Sequence, residues 1–95
     1  MQLYVLVYWS SGSTSDVLGA AYGNVKADAW MAFYSANVGN LKDNYLKSYR
    51  KVCISKNETP DPAHVPTVEE FKRHCYAKEY EGYDVEKVSI YRSDV

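Results

Sequence analysis

The sequence predicts an α+β domain: a three-stranded, mainly antiparallel sheet in the order 2-1-3 with about three helices on one face, in the succession ββαααβ. Three features carry this reading. The segment Gln2–Trp9 is rich in Val and Tyr and apolar on both sides, as suits a central strand. Between Asn24 and Tyr80, apolar residues recur at helical spacing in three successive stretches. Strand character then returns from Tyr83 to Arg92, where Val88 and Ile90 alternate with Ser89 and Tyr91.

Within the first strand, Leu3, Val5, Val7 and Trp9 lie on one face and Tyr4, Leu6 and Tyr8 on the other. The helices are expected on the Leu3/Val5/Val7/Trp9 face, leaving Tyr4 and Tyr8 on an open one. The run from Ser10 to Asp16 is small and polar and reads as a long hairpin loop leading to a second strand at Val17–Tyr22. It holds one glycine and precedes a strand, so it lacks the amide cradle of a phosphate loop. Asn24 is the expected N-cap of a first helix, with Val25, Ala29, Trp30, Phe33 and Tyr34 at helical spacing and Gly39 as its stop. A second helix from Asn40 presents Leu41, Tyr45, Tyr49 and Val52 as a stripe, and residues 52–54 fit either a helix end or extended chain. Three prolines between Asn57 and Pro66 mark a loop. Thr67-Val68-Glu69-Glu70 is a capping box that should start a third helix, running to about Tyr80 and broken by Gly82. The expected core contains Leu3, Val5, Val7, Leu18, Trp30, Phe33, Leu41, Phe71, Val88 and Ile90.

At 95 residues with 46% hydrophobic content, the chain suits one domain with one modest core, residues 1–95. It lacks a membrane-length apolar run, and Met1–Trp9 has neither the basic start nor the cleavage site of a signal peptide, so a soluble cytoplasmic protein is expected. Cys53 and Cys75 are accordingly expected as buried thiols, and the Asn57-Glu58-Thr59 glycosylation pattern carries no weight. The amino-terminal arrangement, Tyr4–Tyr8 followed after the polar loop by Val17-Leu18-Gly19-Ala20-Ala21-Tyr22 and a helix containing Lys26-Ala27, resembles small uncharacterised bacterial and phage domains with a strand–hairpin–helix start. Those domains have a shorter helical section, and the resemblance implies no catalytic residues.

Ten tyrosines are the strongest functional signal, because an apolar ring with a polar tip suits contact surfaces. No motif that carries chemistry accompanies them. Cys53, His64, His74 and Cys75 lack the close ligand pairs of a zinc site, so neither a metal nor another cofactor is expected. No strand–turn signature marks a nucleophile, and the expectation is a non-enzymatic protein.

Charge is unevenly spread: −1 over residues 1–40, +4 over 41–56 and −4 over 57–95. A protein-binding role follows in two forms. One uses the sheet face with Tyr4, Tyr8 and Tyr91, as a homodimer or against another protein. The other uses the acidic end, where Glu79 and Glu81 accompany Tyr76, Tyr80 and Tyr83. Such a surface could occupy the basic groove of a nucleic-acid-handling protein, the way a phage-encoded inhibitor of host defence would act. The alternative is nucleic-acid binding by residues 42–56, where Lys42, Lys47, Arg50 and Lys51 interleave with Tyr45 and Tyr49. An acidic carboxyl-terminal third works against that alternative.

Overall fold

The computed structural model describes residues 1–12, 15–76 and 81–89. Its central strand, β1 (Gln2–Ser10), pairs antiparallel with β2 (Asp16–Gly23) on one side and with β3 (Glu81–Lys87) on the other, giving the order β2-β1-β3. This is the predicted topology: the most apolar strand takes the centre, where both edges of its backbone find partners. A bulge between Leu6 and Val7 places Val17, not Leu18, opposite Val7.

Helix α1 (Lys26–Ser35) follows β2. The expected N-cap, Asn24, does not cap it. Val25 occupies that position, and the Asp28 carboxylate instead reaches back to accept the backbone N–H groups of Asn24, at 3.0 Å, and Val25, at 3.3 Å. A carboxylate in the first turn satisfies orphan donors and complements the helix dipole, so the polar residue ahead of the helix is not needed. After α1 the chain turns through a short 3₁₀ segment, Val38–Asn40, with Asn37, Gly39 and Asn40 all left-handed (φ 53°, 61° and 58°). The Asn37 amide donates to Asp43 at 2.9 Å and its carbonyl accepts the Asp43 N–H at 3.1 Å, tying this turn to the next helix.

Helix α2 (Leu41–Ser55) continues through residues 52–54. Its inward stripe is Leu41, Tyr45 and Cys53, while Val52 is half exposed, a correction to the expected stripe. Helix α3 (Val68–Cys75) starts at the predicted capping box: Thr67 Oγ1 accepts the Glu70 N–H at 3.2 Å, and a Glu70 oxygen accepts the Thr67 N–H at 3.4 Å. The expected extension to Tyr80 falls on residues 77–80, outside those described. Gly82 does not act as a helix stop. It is a buried residue inside β3, where a Cβ would lie 2.9 Å from Cζ2 of Trp9, so its missing side chain makes room for the indole.

The three helices contact one another; α1 packs on all three strands and α3 on β3, while α2 packs on α1 and α3. They lie on the opposite face from the one expected. The core joins Tyr4, Leu6 and Val85 of the sheet to Ala29, Trp30, Phe33, Tyr34, Leu41, Tyr45, Phe71 and Cys75 of the helices. Of the expected core, Trp30, Phe33, Leu41 and Phe71 are buried there. Val7 is buried but on the other face, Leu3, Val5 and Val88 are half-buried, Leu18 is exposed, and Ile90 lies outside the described residues.

The neighbouring strands explain the choice of face. Gly19, Ala21 and Gly23 of β2 stand opposite Leu6, Tyr4 and Gln2, so the helices approach over small residues. A Cβ on Gly19 would already sit 3.4 Å from Val38. Tyr22, Asp84 and Glu86 stand opposite Leu3, Val7 and Val5 on the other face. Covering that face with a helix would bury two carboxylates and displace a bulky tyrosine, whereas covering the first buries neither. Edge-to-face contacts of Trp30 with Phe71 (5.8 Å between centroids) and of Tyr34 with Phe71 (5.1 Å) fill the space between helices.

Candidate protein-binding surface

The helix-free face is built by alternation in three strands. Leu3, Val5, Val7 and Trp9 of β1 form its spine, Val17, Ala20 and Tyr22 of β2 one flank, and Asp84 and Glu86 of β3 the other. Val17 and Tyr22 are 65% and 63% exposed. At one end, beside Leu3, Tyr22 and Val88, a depression of about 350 Å³ opens, with Lys87 on its rim. The surface is therefore apolar along its middle, acidic along β3, and concave at one end. Its chemistry suits shape-based contact with an apolar anchor from a partner. The β2 edge adds to this, because the stretch between Asp16 and Gly23 has no charge to discourage pairing, while β3 carries Glu81, Asp84, Glu86 and Lys87.

The tyrosines expected to form the binding face are mostly occupied elsewhere. Tyr4 is buried beneath the helices, a correction to its expected exposure. Tyr8 is half-buried, donates its hydroxyl to Glu81 at 2.6 Å and packs on Tyr83, 5.3 Å between centroids. The Tyr76 hydroxyl donates to the Asp84 carboxylate, and burial together with that bond pushes its pKa up. Tyr76, Tyr83 and Glu81 thus gather around the start of β3, whereas Tyr80, Tyr91 and Glu79 lie outside the described residues.

The basic segment is reorganised as well. Lys47, Arg50 and Lys51 are exposed, and the Lys42 ammonium sits 5.8 Å from the centre of the Tyr34 ring. The two rings expected to stack on bases are turned inward. Tyr45 is 7% exposed, and Tyr49 stacks on His64 at 3.9 Å between centroids while its hydroxyl accepts the Asp61 N–H at 3.1 Å. A basic helix remains, but without the aromatic platform that single-stranded nucleic acid needs.

Those inward rings belong to a polar chain that sequence spacing did not reveal. The Tyr45 hydroxyl donates to Glu70 at 3.2 Å and lies 2.9 Å from Nε2 of His64. Burial, then the nearby Glu70 charge, pushes the Tyr45 phenol up to about 12, so it stays protonated and a poor nucleophile at neutral pH. Hydrogen bonds from Thr67 hold Glu70 below the usual carboxylate range. The chain ties the proline loop to α2 and α3. Cys53 and Cys75 are both buried free thiols, with Cys75 pushed up to about 12 by burial. Among the described residues no group of three or more His, Cys, Asp or Glu converges to hold a metal ion, and no helix is long and apolar enough to cross a membrane.

Compared with known protein families, with characterised proteins and with solved structures, the chain matches none. The residues missed as surface were Leu3, Val5, Trp9, Val17 and Tyr22. One signal could have found them: β3 alternates cleanly, with Tyr83 and Val85 apolar against Asp84 and Glu86 acidic, and its pairing with β1 carries that polarity to the whole sheet.

Proposed function

We propose that the protein is a non-enzymatic binding module that engages another protein chain through the helix-free sheet face, with a second copy of itself as the first occupant. The observation that carries this is the continuous apolar strip Leu3/Val5/Val7/Trp9 with exposed Val17 and Tyr22, on which no helix packs among the described residues, while α1 and α3 pack on the other face. Monomeric proteins seldom leave such a strip without a binding role. Burying a large apolar side chain is worth about 1.5–3 kcal/mol before association costs, so a micromolar contact, about 8 kcal/mol net, needs most of the strip and its flanks rather than a few residues.

A second occupant is favoured by the acidic border. Asp84 and Glu86 beside the apolar spine fit a partner whose apolar anchor is ringed by basic groups, the pattern expected for the target of an inhibitory protein. Light scattering at micromolar concentration on the wild type and on Val5→Glu/Tyr22→Glu tests the proposal. A wild-type dimer that becomes monomeric in the double variant supports self-association. A monomeric wild type rejects it and leaves the heterologous partner, to be sought by cross-linking that the same two substitutions should abolish.

A further inference from the structure

On the helix side of the molecule, away from the sheet face, α2 and the start of β3 enclose a cleft of about 450 Å³. One wall is a single flank of α2, where Asn44, Lys47, Ser48 and Lys51 repeat at helical spacing; the opposite wall carries Glu81 and Tyr83. We propose that this cleft binds a small phosphorylated molecule with a planar, hydrogen-donating end, of the nucleoside monophosphate class.

The argument starts from the two lysines. Lys47 and Lys51 stand one turn apart, so their ammonium groups repel and weaken the isolated helix. Among the described residues neither has an ion-pair partner. An anion held between them removes that repulsion, and the Asn44 amide and Ser48 hydroxyl on the same flank supply further hydrogen bonds to its oxygens. The floor suits a ring, because Leu41 and Tyr83 line it. The far wall is acidic, with the Glu81 carboxylate fixed by the Tyr8 hydroxyl at 2.6 Å. That carboxylate repels a second anion and accepts from an amino group, so the two walls set the ligand's direction. The phosphate lies at the lysines and the donor end at Glu81. The volume is large enough for a molecule of this size and within the range of enclosed ligand sites.

The test is an amide NMR titration of the full chain with AMP, adenosine, inorganic phosphate and a single-stranded oligonucleotide, repeated on Lys47→Gln/Lys51→Gln. Arg50→Gln/Lys56→Gln serves as a control that removes the same charge elsewhere on α2 and at its C-cap, and circular dichroism confirms that both variants fold. The expected result is AMP binding tighter than about 1 mM, with shifts confined to α2 and the start of β3. Adenosine and phosphate should each bind at least about tenfold more weakly, and only the cleft variant should lose about tenfold in AMP affinity. The proposal is overturned by no shifts at about 10 mM AMP, by adenosine binding as well as AMP, or by equal losses in the two variants. Oligonucleotide binding tighter than AMP would also overturn it, in favour of a charged surface. None of these outcomes depends on assembly through the sheet face.

Discussion

On one face of the sheet Tyr4, Leu6 and Val85 meet Trp30, Phe33 and Phe71, whereas on the other Leu3, Val5, Val7 and Trp9 meet no helix among the described residues. Both sets come from apolar strand residues, and the four on the helix-free face are the more uniformly aliphatic. The difference lies in what stands beside them. Small residues of β2 flank the covered face, and a tyrosine and two carboxylates flank the other. Side-chain identity in one strand therefore does not decide which face is buried; its cross-strand neighbours do, because a helix laid over one strand also buries the side chains directly beside it.

The sharpest way to break this comparison is to shorten one residue on each face. Leu6→Ala removes a fully buried side chain and should cost about 2–5 kcal/mol in a urea melt. Leu3→Ala on the helix-free face should cost less than half as much at concentrations where the chain is monomeric. Equal losses would show that something covers both faces. Gly82→Ala should come next, at about 1–3 kcal/mol, because its Cβ would collide with the Trp9 ring. Its signature is a shift in tryptophan emission as Trp9 is displaced, with Trp30 left buried on the other side.

Smaller effects test the helical layer. Thr67→Ala should lose about 1 kcal/mol, the usual value of an N-cap, while leaving Tyr22 and the sheet face unaffected. Glu70 gives the acid dependence its sign. Its folded-state pKa is lowered from 4.5, so its contribution is complete above the unfolded value and lost as pH falls through the folded one. Glu70→Gln should flatten the stability profile in that acid window and leave the profile between neutral and mildly alkaline pH unchanged, as followed by thermal melts. Tyr22→Ser should be the smallest of all, within about 0.5 kcal/mol for the monomer, because the side chain is mostly exposed. A large loss at micromolar concentration that vanishes on dilution would locate Tyr22 in the interface.

Local chemistry was the part legible from sequence. The Thr67/Glu70 capping box, the helical stripes through Trp30, Phe33 and Phe71, and the central place of the strand read at Gln2–Trp9 all depend on residues close in the chain and appear as read. Gly82 misled because a glycine after a helical pattern usually stops a helix, while here its role is set by Trp9, distant in sequence. Tyr45 and Tyr49 misled in the same way. Their spacing among lysines suggested a stacking surface, but His64 and Phe71, brought in by the loop and α3, give both rings better partners inside.

The sequence by itself determined the α+β class, the strand order and the start of α3, because periodicity, turn residues and caps act over a few residues and leave their pattern in the chain. Only the tertiary structure decided which sheet face the helices cover, where the tyrosines go, and that Lys47, Lys51 and Glu81 line one cleft. Those outcomes are set by cross-strand register and helix packing, where the cost of burying Asp84 and Glu86 outweighs the preference of any single strand.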